Sequence, residues 1–157
     1  KDGLLMQGPG TRSWFAMLND GSFVIDTSTN YSTYADKIYS GVGGRQILLL
    51  DGAVNDIGYH TEFGYTRHPR TAIGIRKDGG IVMIVVDGRQ PTISNGASLA
   101  DLAVMMKDLG CVSALNLDGG GSSSFVTRIS TTYKTRNSPS DGNLRGIYNS
   151  LLVVPLG

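Results

Sequence analysis

Seven of the twelve aspartates in this 157-residue chain are followed directly by glycine. Asp-Gly supplies the positive backbone dihedrals of the tightest hairpin turns, so it punctuates a chain of short strands more readily than a helical bundle. The apolar runs fall between such pairs. Residues 13–18 and 22–27 flank Asn19-Asp20-Gly21, and Arg70–Arg76 and Ile81–Val86 flank Lys77-Asp78-Gly79-Gly80. Both read as hairpins. Residues 46–50 read as a short buried strand ending at Asp51-Gly52. Residues 112–117 and 123–127 read as strands around a glycine loop, and 147–154 as a strand that closes the sheet. A short helix is expected over 33–40. The main helix is expected over 98–109, where Leu99, Leu102, Ala103, Met106 and Leu109 share one face at helical spacing. Ser98 and Asp101 form a capping-box start and Gly110 a natural stop. Residues 55–69 and 129–143 read as polar surface loops. The expected fold is α+β: one twisted mixed sheet, one main helix packed on it, and a glycine-rich loop at the sheet edge.

The totals narrow the functional classes. Hydrophobic residues make up 40% and charged residues 17%, the balance of a globular domain and not of a disordered chain. A net charge of +1 gives no electrostatic case for nucleic acid or an anionic membrane surface. No apolar run reaches the ~18 residues of a membrane-spanning helix, so membrane insertion is not expected. The single cysteine, Cys111, rules out an internal disulfide framework and a thiolate zinc site; its place between a helix and an apolar strand suits a small core residue. The chain opens at Lys1, which suggests a fragment or a processed product of a larger protein. Free strand edges leave room for self-association or for contact with a parent polypeptide.

Topology brings chemistry-bearing residues together. The second hairpin leaves one sheet edge at Arg70 and returns to it at Asp87. The main helix then crosses back, so the following strand should run parallel to Ile81–Val86 and end at Asp118 on that same edge. Ligands bind beyond the carboxyl ends of such strands. Two carboxylates and a guanidinium are thus expected on one rim. Singly, an aspartate before glycine is a turn residue, Arg70 a surface cation, and His68 a loop histidine.

The stretch Leu115-Asn116-Leu117-Asp118-Gly119-Gly120-Gly121-Ser122-Ser123 adds a second element. Three successive glycines forfeit backbone entropy and bury no side chain. They are expected to leave N–H groups open as a nest for a phosphate or an oxyanion. The loop is neither a Walker loop, since no Gly-Lys-Ser/Thr follows, nor a G-x-S-x-G elbow.

Those residues resemble the phosphodiester glycosidase family. Asn116 to Ser123 is similar to its most distinctive motif, His68-Pro69-Arg70-Thr71-Ala72-Ile73-Gly74 to a second, and Val85-Val86-Asp87-Gly88-Arg89 to a third. Arg145 and Asn149 resemble its closing segment. An N-G-G-Y-F-type segment usual near the start of family members has no counterpart here, which leads to the expectation of a single domain over 1–157 without that segment. The resemblance implies hydrolysis of a sugar-1-phosphodiester of the GlcNAc-1-phosphate type in a phosphate-linked glycan, with no cofactor required. It implies Asp118, Asp87 and Arg70 as the catalytic set. Asn116, Gly119, Gly120, Gly121, Ser122, Ser123, His68, Thr71, Arg89, Arg145 and Asn149 would bind substrate. An alternative is a divalent cation held by Asp51, Asp87 and Asp118 with phosphate oxygens. The competing function is a non-catalytic glycan or teichoic-acid binding module of a bacterial surface or phage tail protein. An extracellular, virion or cell-surface setting suits both.

Overall fold

The computed structural model describes residues 10–56 and 58–154. Both expected hairpins form. Strand β1 (Trp14–Leu18) pairs with β2 (Phe23–Asp26) across a turn in which Gly21 takes φ +83°. There Asp20 Oδ1 accepts from the Ser22 N–H at 2.9 Å. Arg70–Arg76 and Ile81–Val86 pair in full register from Arg70↔Val86 to Ile75↔Ile81.

The helix expected over 33–40 is replaced by a single turn, α1 (Tyr31–Tyr34), and a strand, β3 (Ile38–Gly43). The unpaired edge of β1 recruits residues 38–43, and its ladder bonds outweigh weak local helix propensity. This makes a three-stranded sheet ordered β2-β1-β3.

A second sheet has five strands. Its members are β4 (Ile47–Leu50), β5 (Ala53–Val54), β6 (Arg70–Arg76), β7 (Ile81–Val86) and β8 (Cys111–Asn116), in the order β5-β4-β8-β6-β7. Every neighbouring pair is antiparallel, which corrects the expectation of one mixed sheet. β8 does run parallel to β7, but it docks on the far side of β6 and so never pairs with it. A short helix, α2 (Glu62–Tyr65), interrupts the loop over 55–69.

The connection from β7 to β8 runs through α3 (Leu99–Asp108). Its start is the expected capping box: Ser98 Oγ accepts from the Asp101 N–H at 3.1 Å, and Asp101 Oδ2 accepts from the Ser98 N–H at 2.9 Å. Gly110 ends it at φ +82°. Leu99, Leu102, Ala103 and Met106 are buried, whereas Leu109 lies beyond the last turn and is exposed.

The five-stranded sheet is buried on both faces, as its alternation dictates. Ala72 and Ala114 face α3 with Leu48, Leu102 and Met106. Their neighbours Ile73 and Leu115 face the opposite way, onto Phe15 and Ile25 of the three-stranded sheet. Each fully buried leucine or isoleucine contributes roughly 1.5–3 kcal/mol through area removed from water. Gly74 lets α3 settle: a β-carbon there would lie 2.6 Å from Met106 Cε and 2.7 Å from Cys111 Sγ. Cys111 is buried in that core.

Two further differences concern the C-terminal third. The strand expected over 123–127 begins later, as β9 (Val126–Ile129), since Ser123 is buried and tied to the Thr71 hydroxyl of β6; β9 forms a separate hairpin with β10 (Thr132–Thr135). Residues 147–154 form no strand. Tyr148, Leu152, Val153 and Val154 are exposed, since apolar content makes a strand only where an edge offers backbone partners. Among the described residues, no helix is long and apolar enough to cross a membrane.

Candidate active site

The antiparallel register fixes one rim. Arg70 lies opposite Val86, and Ala72 opposite Asn116, so the start of β6 and the ends of β7 and β8 share an edge. The start of β4 joins them, since Asn116 N–H donates to the Gln46 carbonyl at 2.8 Å and Arg45 N–H to the Asn116 carbonyl at 2.9 Å. Arg70, Asp87 and Asp118 therefore occupy one end of the sheet. Asp51 does not. It follows β4 at the opposite end, where Gly52 N–H bonds the carbonyl of Val112, so the three-aspartate cation site is corrected. Among the described residues, no three His, Cys, Asp or Glu side chains gather as metal ligands.

Arg70 is not a surface cation. It is 1% exposed. Its Nε donates to the Ala97 carbonyl at 3.0 Å and its Nη2 to the carbonyls of Phe63 and Thr66 at 2.7 and 3.0 Å. The guanidinium lies 4.5 Å from the Phe63 ring centroid, and that of Arg45 lies 4.1 Å from the same ring. Burial first, then the charges of Arg45 and Arg89, bring the Arg70 pKa down to about 10. It thus stays charged while it ties the loop over 55–69 to the sheet.

The two strand-end aspartates differ. Asp87 is half-buried and fully engaged: Asn137 Nδ2 donates to its Oδ1 at 2.9 Å, and the Ser138 N–H reaches both oxygens at 3.0 and 2.9 Å. Asp118 is exposed and accepts from the Gly119 N–H at 2.9 Å. It is the open carboxylate of the pair.

Most N–H groups of the glycine loop are engaged within the chain instead of standing open as a nest. Gly119 N–H goes to Asp118, Gly120 N–H to the Pro69 carbonyl at 2.9 Å, Ser122 N–H to Gly119 and Ser123 N–H to Gly120. The glycines serve close approach instead. A β-carbon at Gly119 would stand 2.8 Å from Pro69 O; Gly120 takes φ +62° with the Arg89 guanidinium above it; and one at Gly121 would collide with the Asp141 carboxylate. Ser123 is buried, receiving the Thr71 hydroxyl at 3.0 Å. Arg145 donates to Ser122 Oγ at 2.8 Å.

His68 and Arg89 complete this side. Their side chains meet at 3.4 Å through His68 Nδ1. Partial burial, then the guanidiniums of Arg70 and Arg89, hold the His68 imidazole below the usual histidine range. Arg89 takes φ +58°, a conformation costly for a side chain of this size. Among the described residues the ion pairs are Arg67–Asp101, Arg76–Asp78 and Arg145–Asp141; Arg45, Arg70 and Arg89 have no carboxylate partner. Asn149 is exposed and bonds none of these residues.

Asn116 is 1% exposed, yet both its amide atoms and Gln46 Oε1 lack hydrogen-bond partners among the described residues. Buried polar atoms without partners cost about 1–3 kcal/mol each, so this corner carries an unmet polar cost. Arg45, Phe63, Gln46, Asn137, Ser138 and Asp141 escaped the sequence reading. Only Asp141, one of the Asp-Gly pairs, carried a visible signal.

A family model described as phosphodiester glycosidase matches residues 1–154. The chain belongs to the phosphodiester glycosidase family. A prophage-derived uncharacterized protein of Bacillus subtilis, YomE, is 41% identical over 87 residues, covering 55% of this chain and 13% of that protein. Mouse N-acetylglucosamine-1-phosphodiester alpha-N-acetylglucosaminidase is 34% identical over 71 residues, covering 45% of this chain and 13% of that protein. This family member thus spans about an eighth of the length of those relatives. Among solved structures, the zebrafish N-acetylglucosamine-1-phosphodiester alpha-N-acetylglucosaminidase catalytic domain, auto-inhibited by its pro-peptide, shares the fold. The TM-score is 0.70 at 24% identity, over 88% of this chain and 49% of that one.

Proposed function

We propose that the chain hydrolyses a sugar-1-phosphodiester, releasing the free sugar and a phosphomonoester. One observation carries the reading: Asp118 is an exposed carboxylate beside a glycine loop, on the rim where Arg89 stands without an acidic partner. A glycosidic carbon passing through an oxocarbenium-like state needs a carboxylate facing it. The departing phosphate is already a stable anion and needs positive charge more than a proton. Arg89 and Arg145 supply that charge in place of the engaged loop N–H groups. The names of the animal relatives support an N-acetylglucosamine-1-phosphodiester as substrate.

A panel of UDP-GlcNAc and GlcNAc-1-phosphodiesters tests the reading. Free sugar should appear with the wild-type chain. Phosphosugar binding without release would replace the hydrolase with a binding module, and neither release nor binding would remove both.

A further inference from the structure

Asp141 is the carboxylate packed hardest against the glycine loop. Gly121, three residues beyond Asp118, is bare where Asp141 sits, because a β-carbon there would collide with the Asp141 carboxylate. Arg145 straddles the same spot, donating to Ser122 Oγ at 2.8 Å and to Asp141 Oδ2 at 3.4 Å. The segment that carries both side chains is anchored at its start. Asp87 holds Asn137 and Ser138, and Gln90 Nε2 donates to the Ser138 carbonyl at 2.8 Å.

The geometry points to Asp141, and not Asp87, as the second carboxylate of the site, a role that rests on the hydrolase reading above. The difference lies in how tightly the oxygens are held. Asp87 accepts short bonds on both oxygens. Asp141 has one contact from Arg145 and one from Ser140 Oγ, each at 3.4 Å, and its side chain is 40% exposed. Such a carboxylate is loosely held and open to an approaching water; Asp87 is a positioning residue that fixes the segment bearing it.

The step balances without a further reactant. A water oxygen bonds to the anomeric carbon as one of its protons passes to Asp141. The bond from that carbon to the phosphate oxygen breaks, and its electron pair leaves with the phosphomonoester beside Arg89 and Arg145. Asp118 faces the positive charge that builds on the sugar. Asp141 then releases the proton to solvent.

The test uses the 157-residue chain with a GlcNAc-1-phosphodiester and the variants Asp141→Asn and Asp141→Gly. Asp141→Asn should lower kcat on the order of 10²–10³-fold while KM stays within about threefold. Added azide or formate should restore part of the turnover of Asp141→Gly, a rescue that a purely structural carboxylate does not give. Wild-type turnover that survives Asp141→Asn overturns the inference and leaves the hydrolase standing. Lost turnover accompanied by a lowered melting temperature and no rescue also overturns it, since Asp141 would then only hold its segment. No release by the wild-type chain removes the hydrolase reading, and the role of Asp141 with it.

Discussion

Two strands of the five-stranded sheet run out into nearly the same letters on the same rim, β7 through Val86 into Asp-Gly and β8 through Asn116 into Leu-Asp-Gly. At the end of β7 the carboxylate is closed by Asn137 and Ser138, about fifty positions away in the chain. At the end of β8 it is open, with one bond to its own neighbour. A strand-end aspartate is thus closed or left open by what a distant segment brings to it, and the local motif does not decide. The same rim repeats the contrast with cations. Arg70 is sunk among three carbonyls, while Arg89 is exposed over the glycine loop.

The largest effect should come from the open end. Asp118→Asn is expected to cut sugar release on the order of 10³-fold with an unchanged melting temperature, because an asparagine Oδ1 still accepts from the Gly119 N–H. Next comes Arg70→Met, which strands the carbonyls of Ala97, Phe63 and Thr66; chemical denaturation should read a loss of about 3 kcal/mol. Asp87→Ala should cost about 2 kcal/mol, and amide exchange at Ser138 should speed up as its segment comes free. That segment carries Asp141 and Arg145, so turnover should fall with it.

The smallest effect belongs to a site that touches neither end. The Ser98 N–H, against the opposing pull of partial burial and aided by the Ser98 hydroxyl and Arg67, holds the Asp101 carboxyl below the ordinary value of 3.8. A depressed carboxylate pKa means that its stabilisation is present above that ordinary value and is lost as pH falls through the lower folded one. Acid melts of Asp101→Asn should lose this acid-side slope, and turnover near neutral pH should not change.

What the sequence made legible was local. The hairpins followed from Asp20-Gly21 and Asp78-Gly79, α3 from Ser98, Asp101 and a 3.6-residue stripe, and the shared rim from one hairpin and one crossover. Strand order was not legible, because nothing local says that β8 docks beside β6 and not beside β7. Nor was β3, whose ladder with β1 is a tertiary bond set. At the site, the motifs named Asp87, Asp118 and Arg70 alike, whereas their separate fates depend on Asn137, Ser138 and Phe63. The triple glycine was expected to expose N–H groups to a phosphate; the packing of Pro69, Arg89 and Asp141 against it explains those glycines instead.

The central claim is that the end of β8 is reactive and the end of β7 is structural. Asp118→Asn and Asp87→Asn, made side by side and measured for both sugar release and thermal melting, test it most directly. The account predicts lost turnover at an unchanged melting temperature for Asp118→Asn, and a lowered melting temperature for Asp87→Asn. Full turnover in Asp118→Asn, with an Asp87→Asn variant that is inactive and as stable as the wild type, would contradict it.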